Sequence, residues 1–163
     1  MTVSTARDVD PLALERQVCF ALATTNRAVL AVYRPLLEPL GLTHPQYLVM
    51  LALWDYQKAP GSDQFPLSVK RIAVTLQMDS ATLSPMLKRL EAQGLIRRVK
   101  NAADERTTDV MLTQRGIALR QRALEVPSAV VARLGVELAE LENLHRALTR
   151  INTAAVAASA LQH

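Results

Sequence analysis

A mostly α fold with a small β-hairpin is predicted for this 163-residue chain by three observations. Half of its residues are hydrophobic but only 4% are aromatic, so the core must be mostly Leu, Val and Ala. That composition suits packed helices better than a sandwich of strands. Apolar residues recur at three- and four-residue spacings in the N- and C-terminal parts. Strand-like runs are confined to residues 95–100 and 108–112, on either side of a charged loop at 101–107.

Residues 1–11 are polar, contain Asp10-Pro11 and read as a flexible arm. From Leu12 to about Leu40 the pattern is helical, carried by Leu14, Val18, Leu22, Val29, Val32 and Leu36. Pro35 and Pro39 are expected to kink or end that helix, and Gly41 to stop it. Thr43 and Gln46 form a capping-box pair around Pro45, and the run from Tyr47 to Trp54 is then a mostly buried helix. Residues 59–63 are a loop by composition. The longer stretch Gln57 to Pro66 has no assigned role, although Phe65 is placed to begin a short strand. Ser68 caps a short helix to Leu76, with Ile72, Ala73 and Leu76 inward. Asp79 or Ser80 caps the next, which runs to about Gln93 and stops at Gly94. Pro85 lies inside it, near enough to the first turns to be tolerated. Thr113 caps a helix to about Glu125, before Val126-Pro127. From Leu141, the residues Leu144, Leu148, Ile151, Ala155 and Ala158 fall at alternating steps of three and four, a coiled-coil-like seam.

The net charge of +4 is uneven. Residues 68–122 hold eleven Lys/Arg against five Asp/Glu, and the remainder eight against ten. A basic middle between acidic flanks fits a nucleic-acid face on one segment. The single cysteine, Cys19, excludes an intrachain disulfide. No apolar run approaches the ~18 residues of a membrane span, and no apolar signal stretch opens the chain, so a cytoplasmic protein without membrane contact is expected. There is no Gly-rich phosphate loop, no metal-spaced His/Cys set and no nucleophile triad, so neither an enzyme nor a cofactor or metal is expected. His145 and His163 read as surface residues.

Helix, short turn, helix and hairpin make a winged helix-turn-helix. The second helix would enter the major groove of double-stranded DNA by its N-terminal end, where Ser80, Thr82, Ser84, Lys88 and Arg89 stand. Serine and threonine bond bases or phosphates, and a helix N-terminus attracts phosphate. The hairpin loop would lie along the minor groove, with Arg106 inserted and Asp104 holding that arginine extended. The competing reading is a helical core with a surface hairpin whose charges only solvate it.

The chain resembles the MarR family of dimeric winged-helix regulators. The resemblance is carried by Leu87-Lys88-Arg89-Leu90-Glu91-Ala92-Gln93-Gly94-Leu95-Ile96, then Asp104-Glu105-Arg106 and Leu112-Thr113, and spans about residues 12–152. It implies a homodimer on an inverted-repeat operator, with residues 12–163 forming one such domain. Residues 12–58 and 113–163 would supply mainly dimerisation helices, and 63–112 the winged DNA-binding part. Within the family the N-terminal half is similar to the one-cysteine organic-hydroperoxide repressors. The matching runs are Gln17-Val18-Cys19-Phe20-Ala21-Leu22, Tyr33-Arg34-Pro35, and Leu42-Thr43-His44-Pro45-Gln46-Tyr47-Leu48-Val49-Met50-Leu51, together with the stretch from Leu76 to Leu90.

This resemblance implies a redox sensor at Cys19. A thiolate attacks a peroxide oxygen, and donors facing it or a nearby helix N-terminus favour that form. In the resembled repressors two tyrosines of the partner subunit bond the cysteine. Tyr33 matches the first. His44 stands at the second, as a donor that would act most strongly if cationic, and Ala23 replaces a tyrosine one turn beyond the cysteine. Tyr47 reads as core. Some relatives trap the oxidised cysteine with a second one, but the aligned position here is Ala132. A small thiol, a backbone nitrogen or further oxidation would have to do so. The function expected is a repressor that releases its operator on organic-hydroperoxide oxidation of Cys19. Its rival is a regulator derepressed by a small phenolic or aromatic ligand, with Cys19 an inert structural residue. A thiol peroxidase and a non-DNA-binding helical module fit the residues less well.

Overall fold

The first long helix begins later than its periodicity suggests. The computed structural model describes residues 10–58 and 66–160. It has a 3-10 turn at Leu14–Arg16, an extended Gln17, and then α1 over Val18–Leu37. The Gln17 side chain fixes this break by donating to the Pro11 carbonyl at 2.7 Å. Cys19 therefore becomes the second residue of a helix rather than an interior one. Pro35 does not end α1. The chain continues into a 3-10 turn at Glu38–Leu40 and stops at Gly41, whose φ of 69° is the left-handed conformation glycine adopts without strain.

The capping box forms as expected at the start of α2 (His44–Lys58). The Thr43 N–H donates to Gln46 Oε1 at 2.9 Å, and the Gln46 N–H to Thr43 Oγ1 at 3.5 Å. Tyr47, Val49, Met50, Leu53 and Trp54 are buried along this helix. The loop residues 59–65, including Phe65, lie outside the described residues, as do residues 1–9 and His163. A short strand, β1, is present at Leu67–Ser68 and pairs antiparallel with β3, Leu67 opposite Val110.

Ser68 ends β1 and caps α3 (Val69–Leu76), its hydroxyl accepting from the Arg71 N–H. The turn into α4 (Ser80–Ala92) passes through Gln77, and Asp79, not Ser80, is the cap. Leu83, Leu87 and Leu90, spaced four and three apart, are fully buried with Ile72 from α3. The hairpin is β2 (Ile96–Lys100) and β3 (Thr108–Leu112) in the register Ile96–Leu112 to Lys100–Thr108, and the sheet order is β1-β3-β2. Thr113 caps α5 (Gln114–Ala123). A Cβ at Gly116 would lie 2.1 Å from the Leu95 carbonyl oxygen, so only glycine lets α5 pass this close to the backbone before β2. The Gly116 carbonyl also accepts from Trp54 Nε1 at 2.9 Å, which joins α2 to α5 in the core.

The chain divides into two units at Leu124–Glu125. The second holds α6 (Val126–Leu134) and α7 (Leu138–Ala160). Val126-Pro127 opens α6 rather than closing the previous helix, because proline in a first turn forfeits no helical hydrogen bond. Gly135, at φ 61°, ends α6. No residue of α7 is buried.

Candidate functional site

The α4 surface divides cleanly. Ser80, Thr82, Ser84, Lys88 and Arg89 are all exposed, on a helix whose leucines hold the opposite side. Asp79 Oδ1 accepts from the Thr82 N–H at 2.6 Å. That bond first, and then the Thr82 hydroxyl, holds the Asp79 carboxyl below its usual range. A carboxylate thus already answers the positive end of α4. The first turn of α4 thus carries its own carboxylate, which leaves this helix end less free to attract a phosphate than a bare N-terminus.

The wing loop is built on side-chain bonds to its own backbone. Asn101 Oδ1 accepts from the N–H groups of Ala103 and Asp104, and Asn101 Nδ2 donates to Asp109 Oδ2 at 2.7 Å. Asp104 accepts the Arg106 N–H on one oxygen and the Thr107 hydroxyl on the other. Asp104 therefore shapes the chain around Arg106 rather than gripping the guanidinium, which is exposed at the tip. The expected hold of Asp104 on the arginine side chain gives way to bonds with the Arg106 N–H and the Thr107 hydroxyl.

Three structural interactions are not legible in the sequence. Asp109 is buried in β3, bonded to Asn101. Its signal was a carboxylate at the second position of a short strand, where an unpaired buried charge would be costly. Glu91 and Arg98 form a three-bond clamp between α4 and β2. Gln93 Nε2 donates to the Gly41 carbonyl, tying the end of α4 to the turn after α1. Glu91 and Gln93 lie inside the run that carried the family resemblance, so their presence was visible although their bonds were not.

Of the expected sensing residues, Cys19 is exposed in the first turn of α1. Tyr33 and His44 meet edge to face, with ring centroids 5.0 Å apart, and Tyr47 stands 6.1 Å from Tyr33. Burial raises the Tyr33 pKa, so it remains a phenol and a donor at neutral pH. Burial lowers that of His44, which favours the neutral imidazole over the cation considered from sequence. Cys19 and Tyr33 are fourteen residues apart on one helix, or about 21 Å along its axis. The structure brings Tyr33 and His44 together and leaves Cys19 at the far end. Ala23 is exposed one turn beyond it.

A helix-turn-helix with its polar face outward, a sheet-backed wing and an exposed arginine at the wing tip define a DNA-binding protein. Comparison with known proteins agrees. The family described as Transcriptional regulator SarA/Rot matches residues 31–122. The organic hydroperoxide resistance transcriptional regulator of Bacillus subtilis (strain 168) is 38% identical over 139 residues, 85% of this chain and 89% of that protein. The HTH-type transcriptional regulator TtmR of Methylorubrum extorquens (strain PA1) is 42% identical over 144 residues, 86% of this chain and 69% of TtmR. Among solved structures, reduced AbfR bound to DNA superposes with a TM-score of 0.71 at 29% identity, covering 88% of this chain and 94% of AbfR. The chain belongs to the SarA/Rot family of MarR-like winged-helix transcriptional regulators. It is a DNA-binding regulator, not an enzyme. Among the described residues, no helix is long and apolar enough to cross a membrane.

Proposed function

We propose that this regulator is a homodimeric repressor that holds an inverted-repeat operator and releases it when an organic hydroperoxide oxidises Cys19. The observation that carries the reading is the separation of Cys19 from the Tyr33–His44 pair along α1. The two ends cannot meet within one chain, but two α1 helices running antiparallel would set each cysteine against the other subunit's phenol and imidazole. Cys19 is exposed, as a peroxide requires, and the first-turn N–H groups around it lack helical acceptors. The thiolate sulfur attacks one peroxide oxygen, the O–O bond breaks, and the products are a sulfenic acid and, after protonation, an alcohol. The similarity to the Bacillus subtilis organic hydroperoxide resistance regulator supports the same reading.

Without a second cysteine, the sulfenic acid requires a small thiol, a backbone nitrogen or further oxidation to persist. Adding bulk or charge between subunits moves the two recognition helices off the half-site spacing, and both must dock for tight binding. On DNA, the reading assigns base and phosphate contacts to Ser80, Thr82, Ser84, Lys88 and Arg89, and minor-groove contact to Arg106 on the loop shaped by Asp104.

One observation favours the ligand-responsive reading. A cleft of about 430 Å³ is lined by Leu40, Gln93, Leu95, Arg115, Leu119 and Arg122 among others. Gln93 Oε1 is buried at this place without a hydrogen-bond partner. Arginines, apolar walls and an unpaired acceptor suit an aromatic anion bearing a hydroxyl.

A gel shift on the inverted repeat upstream of the gene separates the two. Cumene hydroperoxide is expected to release the wild type and not Cys19→Ser, with a reductant restoring binding. If both proteins stay bound, the redox reading fails. If a hydroxybenzoate then releases both, the cleft is the sensor.

A further inference from the structure

We propose that Glu91 is a positioning residue for DNA recognition. Its carboxylate sets the angle of the wing against the recognition helix, so that Arg106 and the α4 face reach the same duplex together. This rests on the reading that α4 and the wing tip both contact DNA.

The wing leaves α4 through a three-residue link, Gln93-Gly94-Leu95, in which Gly94 has φ 70°. Such a link is a natural pivot. The base of the wing is held by Thr113, whose hydroxyl donates to the Gly94 carbonyl at 2.6 Å and whose N–H donates to the Leu95 carbonyl at 3.1 Å. Further out along β2, Glu91 of α4 holds Arg98. One carboxylate oxygen accepts the Arg98 N–H at 2.9 Å. The other accepts Nε at 2.9 Å and a terminal guanidinium nitrogen at 2.7 Å. With two guanidinium N–H groups converging on one oxygen and the backbone N–H on the other, the carboxylate fixes both the strand and the side chain of Arg98. Arg98 pairs with Val110 midway along the hairpin, so its direction is also that of the strands leading to Arg106. The arrangement also sorts the wing's cations. Arg98 is committed to Glu91, while Arg97, Lys100 and Arg106 are exposed.

The test is a double-mutant cycle with the full-length dimer and a duplex carrying the inverted repeat, read by fluorescence anisotropy over a series of salt concentrations. Glu91→Gln keeps the shape and an acceptor for the Arg98 N–H but loses the charged fork. It is expected to weaken binding about tenfold, within the range for coupled neighbours. The slope of affinity against salt stays unchanged, because no phosphate contact is removed. Arg106→Ala weakens binding as well, and the double variant binds no more weakly than Arg106→Ala alone. Arg98→Lys, which keeps the charge without the fork, reproduces Glu91→Gln.

Additive losses, or Glu91→Gln at wild-type affinity while Arg106→Ala is impaired, overturn the proposal alone. Arg106→Ala at wild-type affinity overturns the DNA role of the wing tip and the proposal with it. A merely structural role for Glu91 lowers the melting temperature but gives additive losses in the cycle.

Discussion

Helices α4 and α7 carry apolar stripes of similar spacing and are completed to different degrees by their own chain. In α4 every stripe leucine, Leu83, Leu87 and Leu90, is fully buried, and the helix is capped by Asp79 and ended before a left-handed Gly94. In α7, Leu144, Leu148, Ile151 and Val156 remain 47%, 37%, 48% and 51% exposed. Covering four half-exposed aliphatic side chains contributes on the order of 4 kcal/mol per helix. The reading head is therefore finished within one polypeptide, whereas the α7 stripe is left open to something laid against it. In the proposed function that something is a second copy of the chain, which also supplies the second recognition helix.

The strongest way to break this comparison is to make the α7 stripe polar. Leu148→Glu with Ile151→Glu is expected to convert the protein to a monomer in sedimentation velocity. Operator affinity should fall about a hundredfold or more, because two linked half-sites no longer act together. A doubly substituted protein that stays dimeric removes α7 from the interface.

The opposite manoeuvre attacks the finished half. Gly116→Ala pushes a methyl into the Leu95 carbonyl and is expected to destabilise the protein by about 3 kcal/mol, as severe overpacking does. Urea unfolding reads this directly. An exposed glycine with open space beside it, such as Gly94, gives no clash, although its positive φ still resists substitution.

The same contrast explains what was legible in the sequence. The strands, the caps at Ser68 and Thr113 and the capping box at Thr43 and Gln46 were readable because each depends on residues within a few positions. The α7 stripe was readable because periodicity survives whether or not a partner is present. The end of α5 before Val126-Pro127 was readable but the start of α6 there was not, because proline both follows helices and opens them, and only the continuation to Gly135 decides which. The break at Gln17 was hidden because its cause is a side-chain bond back to Pro11, which hydrophobic spacing does not register. The clamp of Glu91 to Arg98 and the tie of Gln93 to Gly41 depend on how elements fold back on each other. The sequence therefore named candidate DNA-facing residues without the bonds that orient them.

A smaller effect sharpens the account of α4. Asp79→Ala removes the side-chain cap and is expected to lower the melting temperature modestly. Because Asp79 also places a negative charge where DNA would approach, operator affinity should fall less than this loss implies, or rise at low salt. Parallel thermal melts and anisotropy titrations separate the two contributions. Equal losses in both would mean that Asp79 acts on binding only through the helix.

The smallest expected effect concerns His44, at the corner between α1 and α2. Burial lowers its pKa in the folded protein below the ordinary 6.5. Between that lowered value and 6.5 the unfolded chain binds more protons than the folded one, so stability rises with pH across this window. Acidifying from about pH 7.5 to about pH 5.5 is therefore expected to destabilise the protein through His44. His44→Gln should flatten that part of the profile while leaving the carboxylate-dependent loss at lower pH intact. An unchanged slope in the variant would show that burial of His44 does not persist in the assembled protein. The direction also bears on sensing. A neutral imidazole packed edge-on to a protonated Tyr33 offers hydrogen bonds rather than a full charge. Imidazole protonation is therefore not expected to set the pH dependence of the peroxide response between about pH 7 and about pH 8.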